Sequence, residues 1–212
     1  MPAPISIEVP RPTEIKRLPW MRRIHVYSPK LARMLALFST KSLKAWALIE
    51  SCPLIEAFCE HPGYVQIDGR RAIADFWVRG RGRQEFIKLE GGVDLQPEQP
   101  DQVRTFADVV VDRVDRAWFA PYERWISNWH QINPYLVANA RFVPPEMLER
   151  VASLFNAPRP LYDVEHAMRD TDVQLARSAV LMLLHQGRLI GDDLMLRPFA
   201  STTVFRPSAG RP

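Results

Sequence analysis

The sequence predicts a mixed α/β domain followed by a smaller helical tail. A helical stripe at Leu43, Trp46, Ala47 and Glu50 runs into short segments between Tyr64 and Leu89 that are rich in β-branched and aromatic residues. A further helix and strand are expected after them, so helices and strands alternate along the chain instead of segregating. From Pro144 onward the pattern changes to three helical stretches and then two short strands.

Composition sets the outer limits. A chain of 212 residues that is 47% hydrophobic can bury one large core or two small ones. The formal charge of +4 and a pI near 9.3 suit a nucleic-acid partner without requiring one. Two cysteines, Cys52 and Cys59, lie in or beside an apolar stretch and read as reduced thiols, not as a disulfide or a metal pair. No apolar run approaches the ~20 residues of a membrane span. The N-terminus carries prolines and an acid where a signal peptide would be basic and then apolar. A cytoplasmic protein with no membrane partner is expected.

Each element has its own warrant. Residues 1–20 are proline-rich and aperiodic, an extended arm able to dock on the body or on a partner. Residues 21–143 form the main domain. It opens on a basic cluster, Arg22, Arg23, Lys30 and Arg33, with Leu31, Leu35 and Leu37 as its apolar counterpart. A helix starts at Ser39 or Thr40, either of which suits an N-cap, and Pro53 interrupts it before a short apolar piece at 54–58. Residues 64–67 and 71–78 read as strands around the hairpin signal Asp68-Gly69. The Arg79-Gly80-Arg81-Gly82-Arg83 turn leads into a third strand at 85–89. A helix over 98–107 and a strand at 109–111 are expected next. The segment 118–136 reads as a helix whose Trp118, Tyr122, Trp125 and Trp129 lie near one stripe, a core pattern. Residues 144–212 form the tail. Pro145 suits a first helical turn, and helices over 147–154, 161–168 and 173–186 precede strands at 188–194 and 202–205. Three helices followed by a hairpin is the winged-helix order.

Chemistry concentrates between Glu50 and Glu90. Hydrolysis of a phosphodiester by a metal-dependent enzyme needs carboxylates to hold the ion and a positive group beside the phosphate. Asp75 lies among Ala74, Phe76, Trp77 and Val78, where a carboxylate requires a reason. Glu50 ends an apolar helix, as either a solvated acid or a site acid. On the third strand the two-residue period puts Lys88 and Glu90 on one face, while Glu85 meets Lys88 only across a bulge. The candidate catalytic set is therefore Glu50, Asp75, Lys88 and Glu90, with Asp75 and Glu90 as ligands for Mg²⁺.

The runs Glu50-Ser51-Cys52-Pro53, Phe58-Cys59-Glu60-His61-Pro62, Ile67-Asp68-Gly69-Arg70-Arg71 and Ala74-Asp75-Phe76-Trp77-Val78 resemble the N-terminal domain of TnsA-type transposon endonucleases. The overlap covers residues ~40–90; the remainder agrees in layout. The resemblance implies a restriction-endonuclease-like mixed sheet flanked by helices, followed by a winged-helix-like domain. By position Glu50 matches the helix acid and Asp75 the central metal-binding acid. Lys88-Leu89-Glu90 departs from the family's Glu-x-Lys order, with Lys88 in the acid's place and Glu90 in the lysine's. The implied partners are the double-stranded DNA of transposon ends, a DDE transposase subunit and an AAA+ ATPase subunit. Two functions stand open: cleavage at the 5′ ends, or DNA binding and assembly on a nuclease scaffold.

Arg79, Arg81 and Arg83 suit either a phosphate backbone or a solvated turn. Gln174 and Arg177, with Ser178, lie on the helix that reads the major groove in a winged helix; the same helix is apolar enough to serve protein contacts. His61, His130, His166 and His185 show no zinc-ligand spacing.

Overall fold

The computed structural model describes residues 8–208. Its elements run β1 (Ile24–Ser28), β2 (Arg33–Leu37), α1 (Thr40–Ser51), β3 (Ala57–Glu60), β4 (Tyr64–Ile67), β5 (Arg70–Ile73), β6 (Phe76–Gly80), β7 (Arg83–Leu89), β8 (Thr105–Phe106) and β9 (Val111–Val114). They continue with α2 (Glu123–Asn139), α3 (Pro145–Ser153), β10 (Arg159–Pro160), α4 (Leu161–Ala167), α5 (Val173–His185), β11 (Leu189–Ile190) and β12 (Val204–Pro207). The architecture is mixed α/β, with five α-helices among the described residues. No helix among those residues is long and apolar enough to cross a membrane.

Two compact units divide the chain. The first holds residues up to Glu50 together with Leu54–Ala120; the second holds Ser51–Pro53 and the rest from Pro121. The division thus falls before α2, not at Pro144. α2 packs on α5 in the second unit.

In the first unit, two turns behave as their sequences demand. Asp68 and Gly69 both take positive φ (50° and 74°), as do Arg81 and Gly82 (51° and 72°). These are two-residue loops whose twist matches the strands they join. They fix the β4–β5 and β6–β7 registers, Ile67↔Arg70 and Gly80↔Arg83. The expected single strand at 71–78 breaks at Ala74-Asp75. The Ala74 N–H donates to Gly63 (3.0 Å), whereas the Asp75 N–H donates to Ile87 (2.9 Å). Within one residue the chain leaves the β5–β4–β8 sheet and enters the β3–β6–β7–β9 sheet.

The expected helix over 98–107 does not form. Pro97 and Pro100 frame a single 3-10 turn at Pro100–Gln102, and β8 then pairs in parallel with β4. Phe106 packs on Phe86 with ring centroids 4.7 Å apart, so burial of that ring favours the strand. The strand expected at 109–111 lies at Val111–Val114, parallel to β7. Of the arm, residues 8–20 lie along the first unit through Thr13 N–H to His61 O (2.8 Å), Lys16 N–H to Gln96 O (2.8 Å) and a bridge between Ile15 and Pro97; residues 1–7 fall outside the described residues.

In the second unit, α5 packs against α2, α3 and α4 and buries Val180, Leu181, Leu183 and Leu184. Asp172 caps it, accepting from the Gln174 N–H at 2.7 Å. Pro145 holds the first turn of α3. β12 pairs antiparallel with both β10 and β11, giving the order β10–β12–β11. Buried Asn128 on α2 uses its amide fully, donating to Leu194 O and Arg197 O and accepting from the Phe199 N–H. The aromatic stripe at 118–136 is only partly core: Trp129 is buried, but Trp118 is exposed in a 3-10 segment ahead of α2. Residues 209–212 of the predicted tail fall outside the described residues.

Two glycine substitutions separate backbone strain from collision. Gly63 has a φ of +142°, and an added Cβ would lie 2.4 Å from the Arg104 carbonyl oxygen; at Gly69 (φ +74°) nothing lies within 4 Å. Gly69→Ala should lose about 1 kcal/mol of stability. Gly63→Ala should lose several-fold more, as read from urea unfolding midpoints.

Candidate functional site at the Asp75–Lys88 pair

The strand break aims Asp75 inward. Its backbone N–H bonds to Ile87, and its carbonyl accepts from the His61 N–H (3.0 Å), so His61, just past the end of β3, and Lys88 on β7 flank it. The Lys88 Nζ lies 3.2 Å from Asp75 Oδ2 and donates to the Ile73 carbonyl at 2.9 Å. The Leu89 N–H adds a third contact, to Asp75 Oδ2 at 2.9 Å. The Asp75 side chain is 4% exposed and that of Lys88 18%, so the pair sits at the edge of the interior. Burial pushes the Asp75 carboxyl up, while the Lys88 ammonium and the Leu89 N–H pull it back.

Lys88 therefore meets Asp75 directly. Pairing of Phe76 with Ile87 extends by one step to place Asp75 beside Lys88. Two residues before Lys88, on the same face, is Phe86, which is buried among Trp77, Cys59 and Phe106. Glu85 pairs with Val78 on the opposite face.

The other predicted acids have partners of their own. β7 ends at Leu89, and the Glu90 carboxylate ion-pairs with Arg113 Nε at 2.8 Å. Arg113 also holds Asp68. Glu50 is neither solvated nor at a free helix end. Its carboxylate accepts from the Ser28 hydroxyl and from the Lys30 N–H (2.9 Å), while the Lys30 ammonium caps the Ile49 carbonyl at 2.9 Å. That cation at the helix C-terminus offsets the unfavourable position of the acid. Among the described residues, no group of three or more His, Cys, Asp or Glu side chains is arranged to hold a metal ion.

His61 is the residue that sequence spacing discounted. It is 2% exposed, packs on the Phe38 ring at 5.3 Å, and its Nε2 has no hydrogen-bond partner. Burial, with the Lys88 charge beside it, pushes its pKa down to about 3, so the imidazole is neutral at ordinary pH. Its place next to Asp75 depends on β3 pairing with β6; the local sequence carries no sign of it.

The predicted DNA contacts divide. Arg81 and Arg83 are exposed at the hairpin tip, and Arg79 lies over the Trp77 ring at 5.7 Å. Gln174 is exposed at the start of α5. Arg177 is turned inward: its Nε pairs with Glu165 at 2.7 Å and its Nη1 donates to the Tyr135 hydroxyl at 3.0 Å. These contacts within the second unit occupy its guanidinium.

No known protein family matches the chain, and a search of curated proteins finds no significant relative.

The neutral His61 sets an acid limit. The unfolded chain takes up that proton near pH 6.5, but the folded one resists until about pH 3, so stability falls as pH drops through this window. Asp75, with its carboxyl pushed up, works in the opposite sense. His61→Gln should flatten the decline, bringing the urea midpoints at pH 7 and pH 4 closer together than in the wild type. An unchanged difference would remove His61 from the acid limit.

Proposed function

We propose that this chain is a TnsA-like subunit of a heteromeric DNA transposase, acting as a DNA-binding and assembly subunit on a nuclease scaffold. The single observation carrying this reading is the Asp75–Lys88 contact at the crossing between two sheets. The helix ending in Glu50, the strand break at Asp75 and the parallel β9 support a restriction-endonuclease-like domain. The order α3–β10–α4–α5–β11–β12, with β12 between the other two strands, supports a winged-helix-like domain. Cys52 and Cys59, neither of them in a disulfide among the described residues, favour a reducing, cytoplasmic setting.

Measured against a Glu-x-Lys strand, the geometry favours Phe86-Ile87-Lys88 over the reversed Lys88-Leu89-Glu90 reading. Lys88 then takes the lysine's place, and Phe86 stands where the second acid would be. Asp75 Oδ2 is already taken by an ammonium and an N–H. One such carboxylate is a poor donor set for Mg²⁺, which needs oxygen ligands in near-octahedral order. The residues therefore do not fit a firmly held Mg²⁺. DNA contact is assigned to Arg79, Arg81 and Arg83 on their hairpin and to Gln174. α5, packed on three helices, suits an internal or protein-binding role better than groove reading. The DDE transposase and AAA+ ATPase subunits of such an element are the proposed protein partners.

A second reading, cleavage at the transposon 5′ ends, keeps one specific support: Lys88 and Asp75 share a face. The experiment is nicking of transposon-end DNA with Mg²⁺ or Mn²⁺, alone and with the transposase partners, for the wild type and Asp75→Ala. The chain should bind DNA in a salt-sensitive way and nick it weakly or not at all. Robust 5′-end nicking abolished by Asp75→Ala would establish the second reading.

A further inference from the structure

Residues 16–23 read Lys-Arg-Leu-Pro-Trp-Met-Arg-Arg, four cations and no acid around a single tryptophan. The segment is held from within. Ile15 and Met21 are buried in a cluster with Phe38, Ile73 and Leu95, Leu18 packs against that cluster, and the Met21 N–H closes the turn on Leu18 O at 2.9 Å. Between these anchors Trp20 points outward, 69% exposed. Lys16, Arg17, Arg22 and Arg23 are exposed as well. Among the described residues their side chains form no ion pair or hydrogen bond. The other cations of the early basic cluster are committed inside, Lys30 to the Ile49 carbonyl and Arg33 to Glu60 at 2.6 Å.

An exposed aromatic set among exposed, unpaired cations is the residue combination of a surface that receives a polyanion with π-faces to stack on. We infer that this turn is a nucleic-acid contact surface, in which Lys16, Arg17, Arg22 and Arg23 neutralise phosphates and Trp20 stacks on an unpaired base. Charge and geometry favour this partner. Four cations suit a polyanion, and a rigid aromatic beside them is the pairing used to hold single strands. A membrane surface fits less well, because Leu18 and Met21 face the core and only one apolar side chain is left to insert. The turn also lies close to the candidate site. Its cluster includes Ile73, whose carbonyl accepts from Lys88, and Phe38, which packs on His61. A strand opened near Asp75 would thus have an adjacent place to rest. The inference rests on the DNA-binding reading and adds to it a surface distinct from the arginine hairpin.

The test uses the full chain and two probes, a fully paired duplex and a forked duplex with unpaired arms, titrated over a range of salt. Wild type should prefer the fork. Trp20→Ala should lose about tenfold on the fork and little on the duplex, while Trp20→Phe keeps most of the affinity. Replacing Lys16, Arg17, Arg22 and Arg23 with Gln should lower the slope of log K against log salt by about 3. Urea midpoints matching wild type establish that the variants fold. Wild type that binds DNA while both variants keep its fork preference and salt slope would overturn this inference and spare the DNA-binding reading. Wild type that binds neither probe would overturn both. Tighter binding to phosphatidylserine vesicles or to an acidic peptide, lost in the same variants, would reassign the surface.

Discussion

A buried carboxylate at the point where the chain passes between two sheets is the constraint on which the first unit depends. Asp75 is held through its backbone and its side chain alike. Its N–H and carbonyl extend the pairing toward β7 and β3, and its side chain takes the Leu89 N–H and the Lys88 ammonium. Removal of one partner from such a buried pair leaves an uncompensated charge, at a cost of about 3–5 kcal/mol. The same contact ties the sheets together through Lys88, whose ammonium also reaches Ile73 at the end of β5. A nonpolar residue at position 75 could continue the strand. It could not gather these contacts at the crossing.

That economy has a chemical consequence. An ammonium on Asp75 and a buried ring at Phe86 satisfy the carboxylate internally, where a hydrolytic site would offer open oxygen ligands to an ion. Glu50 is likewise absorbed by Ser28 and Lys30, which hold the turn after β1 against the end of α1. Under the proposed reading, the fold keeps the outline of a nuclease centre with its charges settled among themselves. On that reading, the exposed arginines and the basic tryptophan turn then carry the contacts with DNA.

The sequence was legible wherever structure is local. Asp68-Gly69 announced its hairpin, the glycine-spaced arginines announced theirs, and the stripe ending at Glu50 announced α1. α5 was legible from its apolar run and from Gly187 after it. What escaped was set by distant partners. β1–β2 looked like a basic cluster, β3 like part of a short apolar piece, and 98–107 like a helix, because their strand pairing lies outside any short window. The same holds for the site. Asp75 stood out as an acid among large apolar neighbours, and its pairing with Lys88 was foreseeable from strand order. The position of His61 and the ties of Glu50 and Glu90 were not, since each depends on another element.

Under the proposed reading, Lys88 and not a metal ion neutralises Asp75. The most direct measurement is a crystal structure of the protein soaked in Mn²⁺, with the ion located by its anomalous scattering. No ion should appear on Asp75, and the Lys88 Nζ should remain within ion-pair distance of its carboxylate. A Mn²⁺ ion bound to Asp75, with Lys88 swung away and Glu50 or Glu90 turned toward the metal, would contradict that reading.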